Sequence, residues 1–168
     1  MKTALLVVLL LSIPAVSTAQ DAPSPREITT QVVKTATAYA NAISCQGNEI
    51  GPEDVVSISP YTSIEDRPEA EYVVIWRGDI DCLGGNATTT TNLTSIKIGI
   101  GDSYVVDLAR SSPAIQFDAG LEASLVGSAK DTLIFEKYEY VEGDANCCPS
   151  IKKRITLRAD QQGNWKQL

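Results

Sequence analysis

The sequence predicts an α+β domain in which one N-terminal helix packs on a curved antiparallel sheet of about five to seven strands, with disulfides tying the chain together. Three observations lead there. A capped, amphipathic segment spans residues 24–45, most segments after it alternate with the two-residue period of a strand, and no second helical stripe interrupts that series. A lone helix followed by consecutive strands implies a helical layer on a sheet.

The helix carries its own start signals. Ser24 suits the N-cap, Pro25 the first helical position, and Glu27, three residues after Ser24, completes a capping box. Ile28, Val32, Ala36, Tyr39 and Ile43 form one apolar stripe. Gly47 suits the position after the helix, which is expected to end near Cys45. Val55, Val56 and Ile58 predict a short strand, and Pro60 and Pro68 punctuate the segment after it. Residues 71–77 are apolar on both faces, Tyr72, Val74 and Trp76 against Val73 and Ile75, the pattern of a central strand.

Gly84-Gly85 breaks the chain, and residues 88–91 fit an exposed strand or a loop. Ile96, Ile98 and Ile100 alternate with Lys97 and Gly99 as a half-buried strand. Gly101-Asp102 reads as a hairpin turn before residues 104–108, and residues 115–117 as a further short strand. The clearest pair joins residues 132–141 to 151–158, with Ile155 and Leu157 facing inward and Lys152, Arg154, Thr156 and Arg158 outward. Gln162-Gly163-Asn164 is a last turn before Trp165. Cystatin-like and nuclear-transport-factor-like folds share this order of elements, an analogy of fold that carries no function.

Residues 1–19 read as a secretory signal. Lys2 supplies the positive start, residues 4–11 are an unbroken apolar run ended by Pro14, and Ser17 and Ala19 are small where signal peptidase reads, so cleavage is expected after Ala19. The apolar run is too short to span a bilayer, and no later stretch is long enough. No cysteine stands at the cleavage point, so no lipid anchor is expected. Residues 20–168 then form a single domain, periplasmic or secreted. The mature chain carries 13 basic and 21 acidic residues, a net charge of −8. Such a chain is repelled by phosphate backbones and anionic lipids, which argues against nucleic-acid and membrane-surface binding unless a local basic patch overrides the field, and no membrane insertion of the mature form is expected.

Cys45, Cys82, Cys147 and Cys148 all lie in the exported part, and their even number favours two disulfides. Four cysteines allow three pairings. One closes a strained Cys147–Cys148 ring and leaves Cys45 to Cys82. The other two tie the adjacent pair to Cys45 and Cys82, and they are favoured because neighbouring residues in a turn can point in different directions. The chain has no histidine and no C-x-x-C pair, so no metal site is expected, and no cofactor motif is present.

The paired strands 132–141 and 151–158 enclose Gly143-Asp144-Ala145-Asn146-Cys147-Cys148-Pro149-Ser150. This hairpin, with its Asn-Cys-Cys-Pro-Ser turn, resembles the C-terminal block of LppP/LprE-like small exported proteins. The resemblance covers roughly the last quarter of the chain and implies an exported bacterial domain, without implying a chemistry. The chain departs from that family in lacking the lipid-anchor cysteine, so membrane tethering is not implied.

Without histidine, Ser-His-Asp and Cys-His devices cannot be built. Gly101-Asp102-Ser103 and Arg77-Gly78-Asp79 read as turns rather than as a hydrolase block and an adhesion tripeptide. Residues 79–84 place Asp79 and Asp81 two apart with Gly84 where a calcium loop needs glycine. Leu83 at the fifth position and Thr90 at the twelfth are wrong for that site, and a solvated acidic loop is the better reading. Asp107 and Glu136 are the best of a weak set of carboxylates for glycoside chemistry. Asn86 and Asn92 head glycosylation acceptor triplets if the host is eukaryotic. Lys152, Lys153, Arg154 and Arg158 form a basic stripe, read first as a solvated face paired with Glu136 and Glu139 and second as a docking patch for an acidic partner.

The sequence therefore predicts a non-enzymatic exported domain that binds a protein or cell-envelope partner, an inhibitor or immunity protein against an extracellular hydrolase being one form. Asp79, Asp81, Asp144, Asn146, Lys152 and Arg154 are the candidate contact residues, because disulfide-pinned loops bind with little ordering cost. The alternative is a small-ligand carrier or carboxylate-based enzyme with a cavity between helix and sheet.

Overall fold

Ser24 caps α1 (Pro25–Ile43) in both directions. Its hydroxyl accepts the Glu27 N–H at 3.3 Å, and the Glu27 carboxylate accepts the Ser24 N–H at 2.8 Å. The computed structural model describes residues 22–45, 49–84, 89–115, 123–145 and 149–168, so the leader and the Asn146-Cys147-Cys148 turn lie outside the described residues. Ile28, Val32, Ala36 and Ala40 form the buried stripe of α1, and Tyr39 on its flank donates to the Ser112 carbonyl at 2.7 Å.

Among the described residues the strands form two antiparallel sheets of four, which corrects the single curved sheet expected from the sequence. The first contains β1 (Val55–Ser59), β2 (Glu71–Gly78), β3 (Thr90–Ile98) and β4 (Tyr104–Val106) in that order. The second contains β5 (Ala123–Ala129), β6 (Thr132–Glu139), β7 (Ile151–Ala159) and β8 (Trp165–Gln167), again in chain order.

The reason lies in β2. Tyr72 and Val74 pack with Ile96 and Ile98 beneath Ile28, Val32 and Ala36. Val73, on the opposite face, packs with Leu93 against Leu133, Phe135, Ile155, Leu157 and Trp165. A strand apolar on both faces needs a layer on each, and one helix covers only one of them. The strands after β4 therefore supply the second cover, and the layers run helix, sheet, sheet.

Residues 90–98, expected to be partly exposed, form a strand buried along most of its length. Its polar side chains are satisfied internally. Thr94 Oγ1 accepts Trp76 Nε1–H at 2.9 Å, and Asn92 Nδ2 donates to the Gly78 and Thr90 carbonyls at 3.2 and 3.0 Å. Beyond β4, the hydroxyls of Ser112 and Ser111 accept the Leu93 and Ser95 N–H groups at 3.3 and 2.9 Å and so replace a neighbouring strand. Ile100, by contrast, is exposed at the turn. There Gly101 and Asp102 take positive φ of 68° and 54°, as the expected hairpin requires.

A buried ion pair bridges the two sheets. Arg110 reaches Glu71 of β2 at 2.7 Å, Ser95 Oγ donates to the other Glu71 oxygen at 2.6 Å, and the guanidinium lies 4.9 Å from the centre of the Trp165 ring of β8.

Candidate partner-binding face

Cys45 is bonded to Cys82, which corrects the favoured pairings of each with the adjacent cysteines. The physical reason is proximity: α1 ends beside the end of β2, the Cys45 N–H donates to the Asp79 carbonyl at 3.1 Å, and the two Cα atoms stand 5.2 Å apart, within disulfide reach. The bond fastens the β2–β3 loop to the helix. Cys147 and Cys148 lie outside the described residues.

Asp79 holds that loop from within. Its carboxylate accepts the Gly84 N–H at 2.9 Å and the Leu83 N–H at 3.4 Å, and the residue is 1 % exposed. The first acid of the calcium-like spacing is thus occupied by backbone amides. Among the described residues, no group of three or more Asp, Glu or Cys is placed to hold a metal. Asp81 is exposed on the same loop, whereas Gly78 and Asp79 are buried, so the Arg77-Gly78-Asp79 tripeptide is not displayed. Asn92 is buried in β3 with its amide engaged, which corrects its reading as a glycosylation acceptor in the folded chain; Asn86 lies outside the described residues.

Asp144 closes the neck of the β6–β7 hairpin by accepting the Val141 N–H at 2.9 Å and the Ser150 N–H at 3.0 Å. The bond from Val141, then those from Ser150, hold its carboxyl below the usual aspartate value. Asn146, beyond that neck, is outside the described residues. The hairpin and the β2–β3 loop stand at the same end of the sandwich. Ala123 N–H donates to Thr91 Oγ1 at 3.2 Å, Thr91 pairs with Arg77 near the end of β2, and Ala123 pairs with Lys137 near the end of β6.

The basic stripe splits between two faces. Lys152, Arg154, Thr156 and Arg158 point outward from β7 as predicted, opposite Tyr138, Glu136, Ile134 and Thr132 of β6. Glu136 holds both Lys152 and, at 3.2 Å, Arg154. Lys153 points the other way, where it and the buried Lys137 share Glu139 at 3.2 and 2.7 Å. The Lys152 and Arg154 hydrogen bonds hold the Glu136 carboxyl low. Burial pushes Asp107 up, but Lys97 at 2.8 Å, the Ala109 N–H and Arg110 together outweigh it, and its carboxyl is also held low. Glu136 lies on the outer face of the second sheet and Asp107 beside the first, each bound to cations of its own.

What remains on the outer face of the second sheet is an uncovered four-stranded surface. Lys152, Arg154, Arg158 and Lys166 stand there against Glu136 and Asp160, the last bound to Lys166 at 2.9 Å. No described element lies over it, and Tyr138 is 54 % exposed beside Lys152. The charge balance of the chain divides along the same line. Residues 22–115 carry twelve acids and six bases, residues 123–168 six acids and seven bases. The sequence showed the cations but not Tyr138 or Lys166 as their neighbours; the outward parity of β6 was the available signal.

No protein-family model matches the chain, and neither a curated protein nor a solved structure matches it. No helix among the described residues is long and apolar enough to cross a membrane.

Proposed function

We propose that the chain is an exported, non-enzymatic domain that binds a protein or cell-envelope partner of acidic character through the outer face of its second sheet. The observation that carries this reading is that face itself: an open antiparallel sheet with four cations, two acids and an exposed tyrosine, on a protein whose other half is strongly acidic. A face with more cations than acids, on an otherwise acidic molecule, orients it on approach to a charged surface. The Cys45–Cys82 bond suits an oxidising compartment, in line with the leader and with the LppP/LprE-like hairpin. Asp144 fixes the neck of the β6–β7 hairpin at one end of the face, which lowers the entropy lost on docking there.

The test is a pull-down from the protein's own envelope or secreted fraction with the mature chain and its disulfides intact. The reading predicts one dominant acidic partner, released by raised salt. Retention of nothing, or of a partner indifferent to salt, contradicts it.

A further inference from the structure

A cleft of about 400 Å³ lies between the two sheets, at the side where β1 and β5 are the unpaired edges. It is distinct from the interface between α1 and the first sheet, where Ile28, Val32 and Ala36 meet Tyr72, Val74 and Ile96. Its apolar wall is built by Val56 of β1, Ile75 of β2 and Leu125 of β5, all partly buried residues on the margin of the inter-sheet core. Glu49, Glu53 and Asp54 line it from the segment that leads into β1, and Arg77 lines it from β2.

The three acids are not equivalent. Asp54 is engaged by the Gly51 N–H at 2.8 Å. Glu49 and Glu53 are exposed at the mouth of the cleft. Glu53 folds back over Gly51, where a Cβ would collide with its carboxylate, so glycine at 51 permits that placement. An apolar wall whose described rim carries three carboxylates and one guanidinium has a definite complement, a cation on an apolar stem. The volume falls within the range of small-molecule sites.

We propose that this cleft binds a small amphipathic ammonium ion, its alkyl part against Val56, Ile75 and Leu125 and its charged end between Glu49 and Glu53. The site is separate from the outer face of the second sheet and does not rest on the partner-binding reading. Burial of the stem supplies affinity that grows with each methylene, and the carboxylates fix the sign of the charge.

The experiment is an NMR titration of the full mature chain with hexylammonium, methylammonium and hexanoate in parallel. The proposal predicts saturable shifts at Val56, Ile75 and Leu125 with hexylammonium, much weaker ones with methylammonium, and none with hexanoate. Glu49→Gln combined with Glu53→Gln, two surface changes that leave the fold intact, is expected to weaken hexylammonium about tenfold. Equal binding of methylammonium and hexylammonium would show only the general field of an acidic chain and overturn the site. So would shifts centred elsewhere, an unchanged affinity in the double variant, or no saturable binding at all.

Discussion

Arg110 bridges the two sheets, yet nothing around it in the sequence marks it. Its partner Glu71 lies 39 positions away, and neither residue belongs to a local pattern, so the pair becomes visible only when the layers are assembled. Both side chains are about nine-tenths buried. Removing one charge leaves the other buried and unpaired, so Arg110→Ala is expected to cost about 3–5 kcal/mol in urea unfolding. Replacing both, as Glu71→Leu with Arg110→Met, should recover most of that loss. A single variant as stable as the wild type would show that the pair contributes nothing. Asp79 teaches the same lesson. Its type and spacing were legible as a possible ligand, but its role as acceptor for Leu83 and Gly84 depends on how the loop closes.

The response to pH follows from the carboxylates. Hydrogen bonds from Lys152 and Arg154 depress Glu136, those from Lys137 and Lys153 depress Glu139, and backbone bonds from Val141 and Ser150 depress Asp144. A depressed folded-state value gives stability that is present above the ordinary 4.5 of glutamate or 3.8 of aspartate and is lost as pH falls through the lowered values. With no histidine in the chain, few side chains titrate between about pH 5 and 8. The thermal midpoint should therefore stay level across that range and fall below about pH 4. A midpoint that moves between neutrality and pH 6 would contradict this assignment.

Among the elements, those with strong local signals were legible. The capping box and stripe of α1, the doubly apolar β2, the Gly101-Asp102 turn and the alternation of β7 all appear where the sequence places them. Strand β5 was not legible. It is rich in small residues, and a register shift between Leu125 and Gly127 breaks the alternation that a strand would show. Strand β3 was only half read, because buried Thr94, Asn92 and Ser95 look like surface until their partners Trp76, Gly78 and Glu71 are in place. The disulfide acts at this scale too. It closes a loop of sequence separation 37, so Cys45→Ser with Cys82→Ser should lower stability by about 4 kcal/mol through loop entropy, measured by denaturant unfolding. A loss near zero would mean that the hydrogen bond from Cys45 to Asp79 already fixes that junction.

For the whole molecule, the fold class was legible and the layering was not. Val73 and Ile75 signalled a second apolar face on β2, but only the assembled sandwich shows that a separate sheet covers it. The same layering explains the candidate face. β6 and β7 turn Phe135, Leu133, Ile155 and Leu157 inward, and so present Glu136, Tyr138, Lys152, Arg154 and Arg158 to solvent. Alternation thus couples the core of the second sheet to the charge of its surface. The decisive experiment is a pull-down that compares the wild-type mature chain with a variant carrying Lys152→Glu, Arg154→Glu and Arg158→Glu, both shown by circular dichroism to be folded. Binding through this face predicts a partner retained by the wild type and lost from the variant. A partner held equally by both would contradict the assignment of binding to this face.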